Sequence, residues 1–238
     1  GYPSLEHCAE LLLRMDDAGI SLVEVQVPFS DPLSDGPVLR GAGAAALAAG
    51  IRPDDVLELA GRMAPRLRAR LVLVAYANTA LARGWERFAQ DLLDHGLAGA
   101  IIPDMPLDAD NGIFPKALHA KGLAALPLVS PDIPPLRLAQ VLSHGSGLCY
   151  STLRSGVTGA ESHVDPAARK WLDALRQQTD LPLLAGFGIR SVEAIQALEG
   201  HCDAVVVGSH LTRLLQEGGP VAVGAFLQKI GTALRSSL

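Results

Sequence analysis

The sequence is poor in aromatics, cysteine and lysine, and each shortage removes a class of explanation. The three cysteines, Cys8, Cys149 and Cys202, are odd in number and far apart. They read as reduced, mostly buried thiols of a cytoplasmic protein, not as a disulfide frame or a zinc site. The net charge is −5, and no basic block or aromatic–basic interleaving appears, which argues against nucleic acid as a partner. Apolar runs are short and broken by Gly or Pro, so no membrane span is expected, and no signal peptide is visible. Lys116, Lys121, Lys170 and Lys229 fall in or beside predicted helices, whereas a Schiff-base aldolase would want a strand lysine. The seven histidines form neither a metal spacing nor a triad with a positioned Ser.

What is present is 238 residues, 49% of them hydrophobic, enough for one large core and a single domain over 1–238. Apolar spacing predicts helices over 5–18, 37–49, 53–63, 81–94, 114–120, 134–142, 165–177, 192–198 and 221–234. Strands are predicted over 20–27, 69–76, 98–103, 123–128, 148–152, 181–187 and 204–207. The strands are almost continuously apolar, as parallel strands covered on both faces should be. No hairpin signal and no repeat of fixed length interrupts the alternation. No glycine-rich fingerprint follows the first strand. The pattern fits an α/β fold, a TIM (β/α)8 barrel without its first strand, with residues 1–4 reading as the loop after that strand.

Barrel chemistry sits at the carboxyl ends of the strands. Glu24 lies near such an end, in Val23-Glu24-Val25-Gln26-Val27. Alternation puts Leu22, Glu24 and Gln26 on one face and the valines on the other. The valines suit the helices, so Glu24 faces the barrel axis, where burial would raise its pKa toward the range of a general acid or base. A structural ion pair is the alternative. The next loop carries Asp31 and Asp35 between Pro28, Pro32 and Pro37, which restrict it. From the residues alone, either aspartate could reach the site or cap local amides, and a magnesium ion held by Glu24, Asp31 and Asp35 is a further option.

Two glycine loops close the last strands: Ala185-Gly186-Phe187-Gly188-Ile189, and Val207-Gly208-Ser209-His210, the latter opening onto a short helical turn through Leu214. Together they have the character of a phosphate cradle, since glycine admits backbone amides close to an anion and a helix start adds its dipole. Tyr150, near the end of its strand, could face the ligand. The polar loop Arg154-Ser155-Gly156-Val157-Thr158-Gly159 behind that strand suits a lid that brings an arginine to an anion.

Seven blocks in order across almost the whole chain resemble the tryptophan synthase alpha subunit family. They are Gly1-Tyr2-Pro3-Ser4, residues 24–37 with Pro-Phe-Ser-Asp-Pro-Leu-Ser-Asp-Gly-Pro at their centre, Tyr76-Ala77-Asn78, Pro103-Asp104-Met105-Pro106, Ser155-Gly156-Val157-Thr158-Gly159, Gly186-Phe187-Gly188-Ile189 and Gly208-Ser209. The resemblance implies a (β/α)8 barrel that cleaves indole-3-glycerol phosphate to indole and glyceraldehyde 3-phosphate, a retro-aldol reaction without metal or organic cofactor. It implies Glu24 as general acid/base, Asp35 as the carboxylate at the indole N–H, and Tyr150 as a wall of the indole pocket. Gly188, Gly208 and Ser209 become phosphate-binding positions, and Arg154 and Thr158 part of a mobile loop that aligns Asp35. Asp31 then reads as loop support.

The implied partner is a beta subunit that carries pyridoxal phosphate, in an alpha2beta2 heterotetramer, met by the 28–37 loop and the region of Ala77 and Asn78. The chain departs from the family pattern at Gln26, where glycine is usual, and at Leu153, where serine is usual. A stand-alone indole-releasing lyase, another phosphate-binding barrel enzyme, and a non-catalytic barrel that activates a beta-type partner are the competing readings. Intact Glu24 and Asp35 speak against the last.

Overall fold

The computed structural model describes residues 1–153, 166–186 and 188–235. In chain order they form α1 (Leu5–Asp17), β1 (Leu22–Gln26), α2 (Pro37–Ala48), α3 (Pro53–Met63), β2 (Arg70–Val74), α4 (Ala77–Leu81), α5 (Trp85–Asp94), β3 (Gly99–Ile101) and α6 (Ile113–His119). There follow β4 (Ala124–Ala125), β5 (Leu128–Val129), α7 (Pro135–Ser143), β6 (Cys149–Thr152), α8 (Pro166–Arg176), β7 (Leu183–Gly186), α9 (Val192–Gln196), β8 (Ala204–Val205) and α10 (Ser209–Arg235).

Local chemistry sets many of the boundaries. The Ser4 hydroxyl caps α1 by accepting from the His7 amide, and Gly19, at φ +83°, turns the chain out of the helix. Pro53 opens α3, and the Arg52 amide donates to Asp55 Oδ2 at 2.7 Å. Asp16 fastens α1 to the start of β2: its carboxylate accepts from the Arg68 and Ala69 amides at 2.7 and 2.8 Å. The helix expected over 81–94 is α5, which starts four residues later, after Gly84 at φ +81°; α4, just before it, was not expected.

Every strand pair is parallel, in two four-stranded runs, β1-β2-β3-β4 and β5-β6-β7-β8. The strand expected over 123–128 is thus two. Pro127 has no N–H to give the ladder, so Ala124 and Ala125 pair with β3 while Leu128 and Val129 pair with β6. The fold is the expected (β/α)8 barrel architecture. Among the described residues no strand stands between β8 and β1, and there α10 packs on α1 and α2 to complete the ring of helices.

Two apolar layers follow from strand alternation. The outer layer joins Val23, Leu71, Leu73, Ala100, Cys149 and Leu183 to the helices. The inner layer contains Val72, Ile101, Leu126 and Tyr150, with Leu22, Val74 and Leu128 beside them. All three cysteines are free thiols. Cys149 is sealed in the core and burial pushes it up to about 12, while Cys8 and Cys202 are half-buried. No helix among the described residues is long and apolar enough to cross a membrane.

Candidate active site

Glu24 lies opposite Val72 and Gln26 opposite Val74, so both share the inner face with the apolar layer around Tyr150. Glu24 keeps some exposure as a whole residue, yet its Oε1 is sealed and has no hydrogen-bond partner among the described residues. A carboxylate there would lose hydration with nothing in return. Burial accordingly pushes Glu24 up to about 7. Tyr150 stands near it. Burial first, and the neighbouring Glu24 charge second, hold the Tyr150 hydroxyl well above its ordinary range, so it stays protonated.

The loop after β1 separates the two aspartates that the residues alone left open. Asp31 is exposed and takes a hydrogen bond from Ser30. Asp35 is only 8% exposed and faces inward. Gln26 Nε2 donates to Asp35 Oδ2 at 2.6 Å, and the Tyr76 hydroxyl bonds the same carboxyl while accepting from the Ser34 amide at 3.1 Å. Burial raises the Asp35 pKa, and the bonds from Gln26 and Tyr76, then the charge of Arg40, pull it back. Glu24 and Asp35 therefore differ in kind, one with a sealed, unpartnered oxygen among the described residues and the other buried with two donors. Among the described residues no three acidic, His or Cys side chains gather as a metal site. A cavity of about 220 Å³ adjoins this edge of the barrel, with Glu24, Gln26 and Asp35 in its wall and Leu11, Leu39, Leu211 and Leu215 among its apolar lining.

Tyr76 was not singled out as a site residue from the sequence. The signal was there in the period of two that runs Val72, Val74, Tyr76. Its ring is fully buried and stacks on Phe29 with centroids 5.2 Å apart, which ties the 28–37 loop to the end of β2. Asp104 steadies the same rim by accepting from the Ala77 amide at 2.8 Å.

The other sheet supplies Tyr150 and the glycine loops. Thr152 pairs with Gly186, and a Cβ on Gly186 would stand 2.2 Å from the Tyr150 hydroxyl oxygen and 2.5 Å from ring carbon Cζ. Glycine is what lets that ring cross the barrel. Gly186→Ala is therefore expected to cost about 1–3 kcal/mol through overpacking. Thermal unfolding of Gly186→Ala and of Gly186→Ala/Tyr150→Leu checks this: the second change should recover part of the loss, and equal melting temperatures would refute the clash.

Gly188 takes φ +86°, which only glycine adopts freely. Gly208 has open space where a Cβ would project, and Ser209 opens α10 directly, so the helical turn expected through Leu214 is the first part of that helix. The non-helical Gly219, followed by Pro220, separates it from the stretch expected over 221–234. Beside this helix start, His210 packs edge-on against Phe226 at 4.7 Å, and burial, then Arg213 and Arg190, lowers its pKa. Arg154, Thr158 and Phe187 lie outside the described residues. Leu153, where serine was the usual residue, is buried with Ala168, Leu172 and Ala185.

Comparison with known proteins adds a family and a shape. A family model described as tryptophan synthase alpha chain matches residues 1–228. The tryptophan synthase alpha chain of Rippkaea orientalis (strain PCC 8801 / RF-1) is 38% identical over 240 residues, covering 99% of this chain and 90% of that protein. Tryptophan synthase of Mycobacterium tuberculosis superposes with a TM-score of 0.90 at 32% identity, over 99% of this chain and 89% of that one. Tryptophan synthase subunit alpha of Legionella pneumophila str. Paris gives 0.89 at 27% identity, over 99% and 90%.

Proposed function

We propose a mechanism from one premise: this chain belongs to the tryptophan synthase alpha chain family. It is a carbon–carbon lyase that cleaves indole-3-glycerol phosphate to indole and glyceraldehyde 3-phosphate. Breaking the bond between the ring and the side chain requires a proton on the ring carbon that bears the side chain. It also requires a base for the adjacent side-chain hydroxyl, and a way to hold the charge that develops on the ring nitrogen.

Glu24 is the acid. Burial keeps its carboxyl protonated up to about pH 7, so it gives its proton to the ring carbon. The carboxylate left behind takes the hydroxyl proton as the carbon–carbon bond breaks. The bonding pair returns to the ring, the side chain leaves as the aldehyde, and Glu24 ends protonated again. Asp35, fixed by two donors, faces the ring N–H and balances its positive charge in the transition state. Tyr150 forms one wall for the ring. Gly188, after β7, and Gly208 and Ser209, at the start of α10, hold the phosphate through backbone amides, and Arg154 and Thr158 serve to align Asp35. The observation that carries this reading is the unlike pair, Glu24 with one oxygen sealed and unpartnered among the described residues and Asp35 buried with two donors.

The partner is a beta subunit, in an alpha2beta2 assembly. It is met through the 28–37 loop, where Leu33 is 79% exposed, and the rim at Ala77 and Asn78, where Leu81 is 51% exposed. The protein is expected to release indole slowly on its own from indole-3-glycerol phosphate, and faster once a tryptophan synthase beta chain is added. Indole release followed with and without that chain tests this. No indole under either condition overturns the lyase, and an unchanged rate overturns the coupling.

A further inference from the structure

Gln26 lies on the inner face of β1, two residues beyond Glu24, and its side chain reaches across to the following loop. The contact with Asp35 is short, 2.6 Å between Nε2 and Oδ2. Because a carboxylate only accepts, the amide nitrogen is the atom that faces it. Asp35 has a second tie in Tyr76, but Tyr76 belongs to the end of β2 and grips the loop backbone at Ser34 as well. Among the described residues, Gln26 is the side chain that joins Asp35 to the strand that carries Glu24.

That placement has a geometric meaning. The two carboxyls must address two atoms of one flat ring system, a carbon and a nitrogen whose separation is fixed. Glu24 is on a paired strand, whereas Asp35 is on a loop eleven residues further along. A loop carboxylate free to wander would meet the nitrogen only part of the time, and misplacement of a catalytic group is costly. A neutral donor also suits this site. An ammonium in the same place would fix Asp35 equally well, but its charge would favour the ionised form of Glu24, the form that cannot donate.

We propose that Gln26 is a positioning residue for the cleavage: its carboxamide sets the distance between Asp35 and Glu24, so that both carboxyls meet the ring together. This rests on the reading of Glu24 and Asp35 given above. Gln26 holds the loop carboxylate in place before the ligand arrives, and it favours the ionised state in which Asp35 can receive the ring N–H.

Gln26→Leu tests this, since it removes the amide at similar volume, and Gln26→Met serves if the leucine variant misfolds. Indole release should fall about 10-fold in kcat, with KM within about threefold, as expected when a group acts on the transition state through alignment. The acidic limb of kcat against pH should move to higher pH. In an Asp35→Asn background the same change should alter kcat less than twofold, because the residue acts through Asp35. An unchanged kcat and acidic limb, or an equal loss in both backgrounds, overturns the proposal. A 13C NMR titration of the Asp35 carboxyl in the unliganded protein reads the contact without turnover. It should titrate at higher pH in Gln26→Leu, and titration at the wild-type pH overturns the proposal. If the wild type releases no indole while the NMR shift is present, the lyase reading fails. The contact then stands and its catalytic role falls.

Discussion

Glu24→Gln is expected to lower indole release by about 10²- to 10⁴-fold, the range for loss of a positioned general acid/base. The substitution keeps size and shape and removes the transferable proton. Steady-state indole release at pH 7 is the measurement, and a rate within a few-fold of wild type would dismiss Glu24 as the acid. The same change should stabilise the protein at alkaline pH. Glu24 titrates at about 7 in the fold and near 4.5 when free of it. Between those values the folded state binds the extra proton, so stability declines as pH rises from about 4.5 and stops declining above about 7. The span corresponds to about 3 kcal/mol. Glutamine never ionises and escapes this loss. Glu24→Gln should melt several degrees above wild type at pH 8, by about 2–4 °C per kcal/mol, with the gap narrowing toward pH 5. Parallel melting curves across that range would mean that Glu24 is not held protonated.

Asp35→Asn is expected to reduce kcat by about 10²- to 10³-fold, as loss of a group that stabilises transition-state charge does, with a smaller effect on KM. The amide oxygen can still accept from Gln26, so the loop should hold its place. The pH profile separates the two carboxyls. Asp35 must be ionised and Glu24 protonated, so wild-type kcat/KM should be bell-shaped, with the alkaline limb near 7 set by Glu24. Asp35→Asn should flatten the acidic limb and leave the alkaline one. Loss of the alkaline limb instead would exchange the roles of the two residues.

Much of this was legible in the sequence because it follows from periods. Alternation along 22–27 put Glu24 and Gln26 on the inner face, and the even-numbered partners in β2 and β6 complete that layer. Glycine and proline were legible only in part. Pro127 sits unnoticed inside an apolar run, and Gly84, left-handed within a stretch that looked helical, delays the start of α5. The choice between Asp31 and Asp35 is not local at all. Both sit in one proline-rich loop, and what separates them is burial under Tyr76, more than forty positions further on. The bond from Gln26 to Asp35 was illegible for another reason: it depends on side-chain torsions and loop path, which no spacing encodes.

The proline break between β4 and β5 has a consequence for ligand binding. Glu24, Gln26 and Tyr76 belong to the β1–β4 run, and Tyr150 with the glycine loops belongs to the β5–β8 run. On the proposed reading, a ligand held by its phosphate at one run and protonated at its ring by the other braces the two runs across the barrel. Its binding energy is then shared with the cohesion of the two runs by mass action. Fragments should differ accordingly: a glycerol phosphate alone braces one side, a ring between Glu24 and Tyr150 touches both, and the joined molecule ties them at two places.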